Sequence, residues 1–344
     1  MAYRGVLDDI KKCVALQIPD SFPVFAMSEE FDVRVSGEIY NEYNRDPKLM
    51  AKCQIDAVRR FDYDWAWLQV DDCIEFEVLG VGVKGEGNIL PATCDYLPAT
   101  SETLRSLKIP NPKLDGRMPV LLEAIKRIKD ELGDTVCVTG RTAAPFSSVT
   151  LLFGMSETFM LLYDNPELVR EALKFFTELQ IKWGQAQLDA GADAIWFGDC
   201  NASGHLISTD IYLEYARDAV AEVAQAYKEA GGLTFYHASD HSIPHLKLQA
   251  ETGISALSMG PGVELEQVKK ELGDKICLMG NIDPILYLLE KDKESVYNEA
   301  VRIAKIGKEN GGYIFNSGEM IPRDTPAENI KSMIKGARSA LTNK

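Results

Sequence analysis

Lys228-Glu229-Ala230-Gly231-Gly232-Leu233-Thr234-Phe235-Tyr236-His237-Ala238-Ser239-Asp240 holds the end of one element, the whole of the next and a polar tip. Ile211–Ala230 has helical patterning, and Gly231-Gly232 stops it, because glycine adopts the left-handed conformation that closes a helix without strain. The apolar run Leu233–Tyr236 then reads as a buried strand. The same rhythm recurs from about residue 134 onward. Val136–Val138, Ala194–Phe197, Ile254–Met259, Ile276–Met279 and Tyr313–Phe315 are short apolar runs, with helical stretches such as Asn165–Ala190 between them.

Earlier in the chain, Pro23–Met27, Trp65–Val70 and Glu77–Val83 read as strands, with helices over about 48–60 and 118–132, while 84–112 is loop-rich. About eight βα units suit a closed α/β barrel of the (β/α)8 TIM type better than an open doubly wound sheet. The glycines of Gly80-Val81-Gly82-Val83-Lys84-Gly85 follow a strand and do not open a helix, so they do not make a nucleotide turn. Such barrels run to roughly 250 to 400 residues in one domain, and residues 1–344 are read as a single domain.

Hydrophobic residues are 46% and charged residues 26% of the chain, enough to bury a sizeable core. The formal net charge of -15, with no clustered basic stretch, argues against nucleic acid as a partner. No run approaches the roughly 18 apolar residues of a membrane span, and the N-terminal residues lack an apolar signal pattern, so a cytoplasmic protein without membrane contact is expected. Seven scattered cysteines without C-x-x-C spacing suggest neither a disulfide framework nor a zinc ribbon, and most are expected to be small buried hydrophobes.

In a barrel of this type catalytic groups project from the C-terminal ends of the strands. The residues there are Gly140-Arg141, Gly198-Asp199-Cys200-Asn201, His237-Ala238-Ser239-Asp240, Ser258-Met259-Gly260-Pro261, Gly280-Asn281-Ile282-Asp283 and Asn316-Ser317-Gly318-Glu319. Asn, Ser and Gly at such points are common turn-formers. His237, Arg141 and Glu319 are not, and all three would point into one mouth. Asp199, His237 and Glu319 together would make a nitrogen and oxygen ligand set able to hold Zn2+ with one position open. The same trio could instead bind an organic cation, bind a carboxylic acid through Arg141, or form a buried ion-pair network. The four histidines, at 205, 237, 241 and 245, crowd into one stretch; His241 and His245, flanking Pro244 at a helix start, read as a surface pair. The close pair Trp65 and Trp67 reads as core packing.

Several ordered motifs resemble the uroporphyrinogen decarboxylase superfamily. They are Thr142-Ala143-Ala144-Pro145-Phe146, Leu152-Phe153-Gly154, Tyr163-Asp164-Asn165-Pro166-Glu167, Ala202-Ser203-Gly204-His205-Leu206, Gly280-Asn281-Ile282-Asp283-Pro284 and Ile321-Pro322-Arg323-Asp324-Thr325-Pro326. Within it the chain looks most similar to the cobamide-dependent methyltransferases. The arginine-rich segment that binds porphyrin carboxylates in the decarboxylases is replaced by the acidic stretch of residues 20–36. The thiol methyltransferases of the group hold zinc through His-x-Cys and a distant Cys; His237 matches the histidine, whereas Ser239 and Glu319 stand in place of the cysteines. A His/Glu site is a harder Lewis acid, suited to polarising an ether or alcohol oxygen.

The resemblance implies a corrinoid carried on a partner protein, a zinc ion, and methyl transfer between that corrinoid and a small donor such as an aryl methyl ether. His237, Glu319 and Asp199 would be its catalytic and metal-binding residues, and Arg141, Asn281, Ser239 and Tyr236 would orient the substrate. The alternatives are a decarboxylase of a smaller acid with Arg141 as carboxylate clamp, a thiol methyltransferase, and a non-catalytic binding protein.

Overall fold

The computed structural model describes residues 3–341. Seven parallel strands neighbour one another in chain order: β1 (Trp65–Trp67), β4 (Cys137–Ala143), β5 (Ala194–Gly198), β6 (Leu233–His237), β7 (Ala256–Ser258), β8 (Cys277–Met279) and β9 (Tyr313–Ile314). Residues 23–27 close the ring. Val24 bridges Phe315 in parallel, and on its other side the Asp64 N–H donates to the Val24 carbonyl. The result is the expected (β/α)8 TIM-type barrel. Its strands are almost wholly buried because helices cover the outside while side chains fill the lumen.

Alternate residues decide which side chains reach that lumen. Trp65 stacks on Phe25 at 4.3 Å and lies parallel to Trp67 at 5.6 Å, with Trp196 edge-on to both tryptophans. Each such ring pair adds about 0.5–1.5 kcal/mol beyond the area it buries. The outer helices start where the sequence supplies caps. Asp46 accepts from the Lys48 and Leu49 N–H groups to open Pro47–Phe61, and Asn165 accepts from Leu168 to open Pro166–Asp189.

Two readings of the first half change. Glu77–Val83 is not a strand: Ile74–Glu77 is a helical turn, Gly80 takes φ 97°, and only Gly82–Lys84 (β2) is extended, pairing antiparallel with Ala92–Cys94 (β3) outside the barrel. The strand read over Trp65–Val70 ends at Trp67, because Val70 takes φ 60° where the chain turns over the mouth. Among the described residues no single helix is long and apolar enough to cross a membrane.

Just beyond the closing strand, Glu29 is sealed beneath that turn. Its carboxyl accepts from Tyr43 Oη at 2.5 Å and from the Val70 N–H at 2.9 Å, and burial pushes it up to about 8 from the ordinary 4.5. A folded-state value above the unfolded one stabilises the fold at low pH, and that contribution is lost as pH rises through the folded value. Between pH 5 and 8 the melting temperature of the native chain should therefore fall by several degrees more than that of Glu29→Gln, as followed by circular dichroism.

Candidate active site

A cavity of about 270 Å³ opens at the C-terminal ends of the strands, walled by Trp67, Gln69, Asp72, Arg141, Trp196, Cys200, His237 and Glu319, with Met27, Leu151 and Met320 among the apolar contributors. His237 ends β6 with its ring turned into the lumen and stacked on Trp196 at 5.0 Å. Its Nδ1 lies 3.0 Å from Ser258 Oγ on the neighbouring strand, so Nε2 is presented to the cavity, 3.3 Å from Glu319 Oε2. Glu319 also accepts from the Met320 N–H at 2.9 Å. Burial opposes its charge, but the His237 ring, with help from Ser239 and the Met320 amide, holds the carboxyl down at about 2.

Cys200 completes this corner. It occupies the short turn that follows β5, and its Sγ, a ring nitrogen of His237 and a carboxylate oxygen of Glu319 lie within 4.8 Å of one another. Dense surroundings, then the charges of Glu319, Asp72 and Asp199, push its thiol well above the ordinary range. A tetrahedral ion with bonds of about 2.0–2.3 Å places neighbouring ligand atoms roughly 3.5 Å apart. The donor set fits such an ion after a small closure, with a fourth position left to the cavity. The other cysteines are less open: five are buried and Cys94 is intermediate, whereas Cys200 is exposed.

Asp199 does not join that set. Its Oδ1 accepts from Ser147 Oγ at 2.7 Å and its Oδ2 from Tyr236 Oη at 2.7 Å, in a fully buried position where desolvation lifts the carboxyl to about 6. The alternation along β6 explains why: His237 and Phe235 face the lumen, so Tyr236 faces the helices and draws Asp199 outward. Neither residue lines the cavity. Asn281 also turns away, its Nδ2 donating to the Gly260 and Val263 carbonyls at 3.1 and 2.9 Å. Ser239, at φ 51°, lies beside Glu319 and helps to lower its carboxyl.

Arg141 is a wall of the cavity but not a free clamp. Its Nη1 meets Glu75 at 2.9 Å and its Nη2 meets Asp72 at 2.5 Å, with only 2% of the residue exposed. Gln187 fixes the strand behind it, bonding both the Arg141 N–H and its carbonyl at 2.8 Å. Gly140 permits that approach, since a Cβ there would come within 2.2 Å of Gln187 Oε1. Nor do His241 and His245 form a surface pair. His245 is 5% exposed and packs against Tyr212, while the His241 ring lies tilted against that of His205, 4.0 Å between centroids.

Comparison with known proteins places this geometry in context. A uroporphyrinogen decarboxylase from Chlorobaculum tepidum is 27% identical over 304 residues, covering 85% of this chain and 84% of the relative. A methylcobamide:CoM methyltransferase from Methanosarcina mazei is 26% identical over 309 residues, covering 89% of each. A solved structure of a methyltransferase from Methanosarcina mazei superposes with a TM-score of 0.88 at 22% identity, over 98% of this chain and 99% of the other, and so has the same fold. The family model described as uroporphyrinogen decarboxylase (URO-D) matches residues 8–340, and the chain therefore belongs to that family.

Proposed function

We propose that the protein transfers a methyl group between a small molecule and the cobalt of a corrinoid carried by a partner protein. The observation that carries this reading is the Cys200, His237 and Glu319 donor set at the base of a compact acidic cavity. A divalent ion such as zinc held there would supply Lewis acidity at the heteroatom from which the methyl group departs or to which it is delivered. His237 is oriented by Ser258, Glu319 stays ionised, and aromatic and methionine side chains line the neighbouring wall.

Decarboxylation of a porphyrinogen suits the site poorly. A polycarboxylate would meet Asp72 and Glu319, and the guanidinium of Arg141 is already committed to two carboxylates. The acidic replacement over residues 20–36 opposes it as well. Cys200 favours a second reading, in which a thiol is the methyl acceptor, because it adds one sulfur ligand to a set otherwise of nitrogen and oxygen. The donor panel for the test includes aryl methyl ethers, methylated amines and thiols, incubated anaerobically with reduced corrinoid protein. Methyl–cobalt formation from at least one donor is expected; none from any donor, with no demethylation of methylcobalamin in reverse, rejects the proposal.

A further inference from the structure

The charges around the cavity do not balance. Arg141 faces both Asp72 and Glu75, and Arg117, behind the same turn, faces both Asp71 and Glu77. Each arginine is outnumbered two to one. A divalent ion in the Cys200, His237 and Glu319 corner would offset a thiolate and one carboxylate, and the excess beside Asp72 would remain. That excess reaches the ligand, because the Asp72 side chain is 56% exposed whereas Arg141 is 2% exposed. Among the described residues lining the cavity, no cation is left unpaired.

Gln69 makes the complement more specific. It is 8% exposed, donates from Nε2 to Asp72 Oδ1 at 3.0 Å, and leaves Oε1 with no donor among the described residues. A buried acceptor without a partner costs free energy unless a ligand supplies positive charge or a donor. The other walls are apolar and aromatic: Met27, Leu151, Met320 and the Trp67 indole, whose ring lies parallel to that of Trp65. Methyl groups bearing part of a positive charge suit such walls, since aromatic faces attract cations and thioethers pack closely on carbon.

We infer that the small molecule bound here is an N-methylated ammonium ion, set with its charge against Asp72 and its methyl groups against the Trp67, Leu151 and Met320 wall. As a statement about the methyl donor this rests on the methyl-transfer reading. In that step a quaternary donor would pass a methyl group to the cobalt(I) of the partner's corrinoid, its C–N electron pair staying on nitrogen, and would leave as a neutral tertiary amine with no need of a proton or of a Lewis acid, since its nitrogen has no lone pair to offer a metal. As a statement about binding it stands without the corrinoid.

The test is a calorimetric titration of the purified protein with choline and with 3,3-dimethylbutan-1-ol, its neutral carbon analogue, in the absence of corrinoid. Choline should bind at least about tenfold more tightly than the neutral analogue, and Asp72→Asn should bring the two affinities together. That variant keeps the buried Glu75–Arg141 pair, and its melting curve checks that it folds. Equal affinities in the native protein, no choline binding, or an undiminished preference in Asp72→Asn overturn the inference. Selective choline binding without methyl transfer to any corrinoid counts against the methyltransferase reading and leaves the ligand class standing.

Discussion

Replacing His237 by alanine should lower methyl transfer to or from an oxygen or sulfur atom by at least about a hundredfold, because a Lewis-acid contribution of several kcal/mol at that atom is removed and each 1.4 kcal/mol is about tenfold in rate. The ring is the hub of the site. It meets Ser258 on one side and Glu319 on the other, and it stacks on Trp196. Its loss also takes away the partner that holds the Glu319 carboxyl near 2. Mass-spectrometric metal content and turnover, measured on the same preparations, should fall together. Native turnover in the variant would show that the chemistry lies elsewhere in the cavity.

Replacing Arg141 by methionine should destabilise the fold by about 3–5 kcal/mol, the usual consequence of removing one partner from a buried ion pair. Glu75 is 0% exposed and would keep a carboxylate with neither water nor a counter-charge. The double variant Arg141→Met, Glu75→Gln should recover most of that loss, since the uncompensated charge goes with it. Denaturant unfolding of the native chain and the variants measures both effects. An Arg141 that serves mainly as a carboxylate clamp predicts the opposite pattern, with stability nearly unchanged and the affinity for acids lost.

The barrel was legible from Leu233–Tyr236 and its relatives because buried parallel strands are continuous apolar runs, and a pair of glycines sets a strand directly after a helix. Val24 was found the same way, although its pairing with Phe315 across nearly the whole chain is a tertiary event. The run Glu77–Val83 misled because apolar content alone does not reveal a glycine at positive φ. His237, Glu319 and Arg141 were legible as strand-end residues with no turn-forming preference. Asp199 and Tyr236 belong to the same strand ends but face outward, and a one-residue change of phase moves a side chain from lumen to helix layer. Cys200 was visible beside Asp199, yet a free cysteine reads as a small hydrophobe until the fold shows His237 and Glu319 beside it. Asn281 satisfies backbone carbonyls, a role that strand-end position alone does not distinguish from substrate contact.

The most direct measurement of the central claim is the absorbance spectrum of methylcobalamin incubated anaerobically with the protein and a methyl acceptor, with uroporphyrinogen assayed in parallel. The account predicts protein-dependent loss of the methyl–cobalt bond, much weakened in His237→Ala, and no carbon dioxide from the porphyrinogen. An unchanged methylcobalamin spectrum with every acceptor, together with carbon dioxide release from uroporphyrinogen, would contradict it.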